Sequence, residues 1–122
     1  MNDGGSMETI FDLIYYMKKR PGNFIGNEIT LKAIFHFLDG YIASAIIHKV
    51  LLDDEEKFRN QFDEWVRIKL IEQTGIQLDL HRSYYHYIST VYTDEQERID
   101  SFFRLVHEFT ESMNIVLKQN YR

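Results

Sequence analysis

The stretch KKRPGNFIGNE, residues 18–28, decides how the rest of the chain is read. It holds the only proline and two of the six glycines, directly after three basic residues. Two glycines four residues apart invite a phosphate-binding loop. Such a loop needs Gly-Lys-Ser/Thr at its second glycine and a strand in front of it. Here Gly26 is followed by Asn27 and Glu28, and the residues before the loop repeat with a helical period. A carboxylate at that point would repel a phosphate. The other reading is a corner between two helices. Pro21 stops the first helix at Arg20, because the residue before a proline is pushed out of the helical region. The glycines then permit positive φ in the connection. Lys18, Lys19 and Arg20 complement the negative end of that helix's dipole.

Working outward from this corner, every long segment carries the helical period. Ser6 caps a first helix whose apolar positions are Ile10, Leu13, Ile14 and Met17. Thr30 opens a second, running to about Leu52, with the stripe Leu31, Ile34, Phe35, Leu38, Ile42 and Ala45. Ala33, Phe37, Ile47 and Val50 load its other side, the pattern of a central helix. Gly40 lies inside it at a cost of up to ~1 kcal/mol relative to alanine, which suggests a close crossing or a bend. Asp53, Asp54, Glu55 and Glu56 suit the first turn of a third helix, with Phe58, Phe62 and Trp65 inward and Gly75 at its end.

IQLDLH, residues 76–81, alternates apolar and polar residues, a weak strand signal. SYYHYISTVY, 83–92, makes a short fourth helix with Tyr84, Tyr87, Ile88 and Val91 inward. Thr93 and Gln96 form a capping box for the last helix. Its stripe is Ile99, Phe102, Phe103, Val106, Phe109, Met113, Val116 and Leu117. The expected fold is all-α: a compact bundle of four to five helices. It forms one domain over residues 7–122, after a flexible lead-in at 1–6.

Composition narrows the function classes. A chain of 122 residues with 44% hydrophobic and 15% aromatic content can bury one real core. No apolar run reaches the ~20 residues that span a bilayer. The acidic, Gly-rich start MNDGGS lacks the basic and apolar parts of a signal peptide, so the expected location is cytoplasmic. The absence of cysteine removes disulfides, thiolate zinc sites and thiol catalysis. A formal charge of −5 opposes a general nucleic-acid binder, whose phosphate contacts need a concentrated positive surface.

The histidines offer little chemistry. None of His36, His48, His81, His86 and His107 has a glutamate three residues before it, as a carboxylate-bridged metal bundle would require. His36 with Asp39, and His107 with Glu111, place only two ligands on one helix face, where a metal needs three or four. No nucleophile elbow or paired carboxylate accompanies His81 and His86. The expectation is a protein that is not an enzyme, with no metal and no cofactor.

Two acidic clusters are the remaining signal. Asp53, Asp54, Glu55, Glu56, Asp63 and Glu64 form one. Asp94, Glu95, Glu97, Asp100, Glu108 and Glu111 form the other. They read either as solvated helix faces or as a negative surface for a cationic partner.

The residues Arg20, Pro21, Gly22, Phe24, Ile25, Gly26, Leu31, Phe37, Leu38, Gly40 and Tyr41 make a pattern that resembles small bacterial immunity proteins of toxin–immunity systems, including contact-dependent growth inhibition and Rhs types. FDEWV at 62–66 and DSFFRLVHEF at 100–109 fit the same type. The resemblance implies inhibition by binding, in the cytoplasm of the producing cell, of one cognate toxin C-terminal domain. That domain is expected to be cationic, with RNases and DNases the foremost classes, and neither nucleic acid nor membrane is a direct partner. The expected contact residues are the first acidic cluster, Asp53 to Glu64, and then His81, Arg82, Tyr84, Tyr85 and Tyr87. The competing expectation is a helical adaptor that binds a peptide or nucleic acid through the aromatic segment from Tyr84 to Tyr92.

Overall fold

The first helix opens on a capping box one turn later than expected. Thr9 Oγ1 accepts the Phe11 N–H at 3.1 Å, and Asp12 Oδ2 accepts the Thr9 N–H at 2.9 Å. This starts α1 (Ile10–Lys19), with Arg20 as its C-cap. The computed structural model describes residues 8–26 and 28–117. The lead-in at 1–6, with the Ser6 cap, lies outside them.

After Pro21 the chain makes a further helical turn, α2 (Gly22–Ile25). Proline's preset φ suits a helix start, and its carbonyl accepts the N–H groups of Phe24 and Ile25 at 3.0 and 3.1 Å. Gly22 therefore needs no positive φ, whereas Gly26 uses one of 77° to leave the turn. Phe24 stands edge-on to Phe37 at 5.9 Å, which plugs the corner.

The remaining helices are α3 (Leu31–Ile47), α4 (Asp53–Thr74), α5 (Tyr84–Val91) and α6 (Glu95–Ser112). The described residues thus hold six helices rather than four to five, the addition being α2. Residues 75–83 form no strand: the alternation of IQLDLH belongs to a connecting loop in which only Leu78 is buried. Gly75 ends α4 in the left-handed region at φ 73°. Asp94, not Thr93, caps α6, accepting the Glu97 N–H at 3.0 Å.

The core is aromatic and centres on Phe62. Its ring meets Phe58, Tyr84 and Phe109 at 4.8, 5.1 and 5.1 Å, and Phe102 edge-on at 6.4 Å. Phe11 of α1 closes the other side against Phe58 and Phe109. On α4 the buried row is Phe58, Phe62, Val66 and Leu70, so Trp65 lies at its edge. Helix α6 buries Ile99, Phe102, Val106 and Phe109 of the expected stripe and Leu105 besides; it ends at Ser112, and Val116 beyond it is exposed.

Helix α3 is not central. It buries Leu31, Ile34, Leu38, Ile42 and Ala45 and turns Ile46 and Ile47 to solvent, as the chain after it does Val50. It also stops at Ile47, since Lys49 takes a positive φ of 58°. Gly40 is exposed, and a Cβ built there would touch nothing within 4 Å. It marks neither a close crossing nor a contact.

Candidate functional site: the outer face of the longest helix and the loop after it

The acids expected to form one negative surface divide into two groups once folded. Glu55 is 1% exposed and lies inside the protein. Its Oε2 accepts the Ile10 N–H at 2.9 Å and the Tyr41 hydroxyl at 2.6 Å, and its Oε1 accepts the Leu52 N–H at 3.0 Å. One carboxylate thereby caps the starts of α1 and α4 and ties both to α3. Burial, and then the bond to Glu55, push the Tyr41 phenol well above its ordinary range. This explains Tyr41 and the Gly-Tyr ending of the 20–41 pattern as a structural clasp.

Asp63 is half-buried, and its Oδ1 accepts the Tyr84 N–H at 2.8 Å, capping the start of α5. In the second cluster Glu95 does the same for α3, accepting the Leu31 N–H at 2.7 Å. Three helix starts are therefore stabilised by carboxylates from other helices, where free N–H groups and the positive dipole end favour an anion. Arg98 answers at the opposite pole, donating to the Tyr92 and Ser89 carbonyls at the end of α5 at 2.7 and 3.2 Å.

Other acids are paired on the surface. Glu64 takes a two-pronged bond from Arg67, both contacts at 2.9 Å, which holds its carboxyl below the usual range. The third arm of Arg67 donates to the Leu78 carbonyl at 3.2 Å and fastens the loop after α4. Asp54 meets Lys57 at 3.4 Å. Asp53 and Glu56 remain exposed without an ion pair among the described residues. They line a shallow depression of about 230 Å³ together with Lys57, Asn60 and Gln61. The same outer face continues through Glu64, Ile68 and Glu72, all exposed.

The aromatic segment divides likewise. Tyr84 and Tyr87 are core residues, 5% and 0% exposed. The Tyr87 hydroxyl donates to the Asp79 carbonyl at 2.7 Å and accepts the Arg82 N–H at 3.0 Å, closing the loop. Tyr85 is half-buried and stacked on Phe35 at 5.4 Å. His81, Arg82 and His86 face solvent, His81 with a positive φ of 61°. The segment accordingly offers polar edges rather than a stack of open rings.

A second concave region escaped the sequence reading. Two adjoining cavities lie along α6, both lined by Lys18, Phe103 and Arg104: one of about 350 Å³ against α1, the other of about 470 Å³ extending to Pro21, Ile29 and Ile34. The Tyr15 hydroxyl lies 3.1 Å from His107 Nδ1, and His107 Nε2 lies 3.5 Å from Glu111 at this edge. Only helix pairing could reveal it, because α1 and α6 lie at opposite ends of the sequence. Among the described residues no three His, Asp or Glu side chains converge as metal ligands, and no helix is long and apolar enough to cross a membrane.

Comparison of the chain with protein-family models, with curated proteins and with solved structures returned no match.

Proposed function

We propose that this chain is an immunity protein that binds one cognate toxin domain in the cytoplasm and masks its active or substrate-binding surface, without chemistry of its own. The observation that carries the reading is the outer face of α4. Across 22 residues it presents Asp53, Glu56, Glu64 and Glu72, with Lys57, paired to Asp54, the cation beside the first two. At 1.5 Å per residue the helix is ~33 Å long, enough to lie across a small domain. Nucleases concentrate positive charge where they hold phosphate, and an acidic helix competes for that ground. The 20–41 pattern supports the same reading, and its residues serve the fold: Tyr41 clasps Glu55 and Phe24 seals the corner.

Co-expression with the toxin domain encoded immediately upstream is the test. The expected result is restored growth and a co-purifying complex. In the Asp53→Lys/Glu56→Lys variant association slows at least ~10-fold, with weaker salt dependence. Without a complex or growth rescue the proposal fails. The adaptor reading has lost the open aromatic platform it needed, since Tyr84 and Tyr87 are buried. A salt-dependent shift with RNA or DNA would revive it.

A further inference from the structure

Between α3, α4 and α5 lies a cavity of about 140 Å³ whose chemistry the fold leaves unfinished. Its walls are the rings of Phe35, Phe58 and Tyr84, and its polar side chains are Asp39, Asp63, Arg59 and Ser83, whose hydroxyl caps α5. Asp63 uses Oδ1 to cap α5, and no donor among the described residues reaches its second oxygen. Asp39 is exposed and has no hydrogen bond or ion pair among the described residues. The Tyr84 side chain is 5% exposed, yet its hydroxyl meets no partner among the described residues. The hydroxyl is not sealed from solvent, so where Tyr84 lines the cavity a ligand's donor can reach it. Both carboxylates bear on it: burial first, then Asp63 and Asp39, push the phenol well above its ordinary range and keep it protonated. Arg59 does not supply the missing donor, because it stays exposed without a bond to either acid.

We infer that this cavity is a binding site for one arginine side chain of a polypeptide partner, with the guanidinium held by Asp39, Asp63 and the Tyr84 hydroxyl. A guanidinium has the required donors in one plane and apolar faces that stack on aromatic rings. A divalent cation would ask for six or more oxygens, which two carboxylates and a phenol do not provide. The inference stands on the cavity itself and does not depend on the toxin reading.

Titration of the ¹⁵N-labelled full chain with the capped tripeptide acetyl-Ala-Arg-Ala-amide tests it. The expected result is saturable shifts at the amides of Asp39, Asp63 and Tyr84. The neutral citrulline peptide gives none, and the lysine peptide binds more weakly. Asp39→Asn weakens binding ~10-fold and Tyr84→Phe ~3-fold, as loss of one charged and one neutral bond requires. Tyr84→Phe removes a hydroxyl without a partner, so its melting temperature holds or rises. Absence of saturation, equal shifts from the citrulline peptide, or unchanged binding by the Asp39→Asn/Tyr84→Phe variant overturns the site. Growth rescue by a chain that ignores the peptide would leave the toxin reading intact and remove this one.

Discussion

Glu55 shows how much one side chain can organise when it is buried among donors. Its two oxygens receive three hydrogen bonds from α1, α3 and the start of α4. Glu55→Ala leaves the Ile10 and Leu52 N–H groups and the Tyr41 hydroxyl without acceptors. The expected loss is ~3 kcal/mol, read by chemical denaturation. Glu55→Gln keeps one accepting oxygen and turns an NH₂ toward a donor, so its expected loss is smaller, ~1–2 kcal/mol. Asp63 behaves differently. Burial raises its carboxyl above the ordinary 3.8, the Tyr84 N–H opposes the rise, and Asp39 adds to it. A carboxyl raised on folding binds its proton more tightly in the native state. It therefore contributes stability below pH ~4 that is lost as pH rises through its folded value. Asp63→Asn keeps the cap and removes the half-buried charge, so near pH 7 it should match or exceed the wild type in stability. That advantage should shrink as pH falls toward 4. Asp63→Ala, which loses the cap, should cost ~1 kcal/mol at pH 7.

Among the elements, α3 departs furthest from its sequence pattern. Its apolar residues surround most of the helix, yet the fold fully buries only one side and exposes Ile46 and Ile47. Periodicity reports which side chains prefer burial, not how many neighbours exist to bury them. Gly40 makes the point testable. It is exposed, inside a helix and free of neighbours within 4 Å of an added Cβ, so Gly40→Ala should raise stability by up to ~1 kcal/mol. The same change at Gly75, held at φ 73°, should lower it by ~1 kcal/mol. A pair of thermal melts decides both. Conversely α5, built from tyrosines that suit strands as readily, was legible because Ser83 caps it and Tyr84, Tyr87 and Ile88 share one face. Its cap, Asp63, was not legible as such, lying 21 positions away.

For the whole molecule, stability concentrates where α1, α4, α5 and α6 bring rings together around Phe62. Phe62→Ala opens a cavity among fully buried neighbours and should cost ~3–5 kcal/mol. That is a large part of the total for a domain of this size, and loss of the cooperative melt is the readout. The chain's own pattern determined the all-helical class and the positions of the long helices. It also determined the stop at Pro21 and the end of α4 at Gly75, because period, caps and backbone restraints act within a few residues. Only the tertiary structure decided the fate of the charges. Glu55, Asp63 and Glu95 read as surface acids, yet each caps a helix that the sequence places far from it. Tyr84 and Tyr87 read as a binding face, yet they complete the core. Burial and hydrogen bonding depend on which helices meet, and no local pattern carries that information.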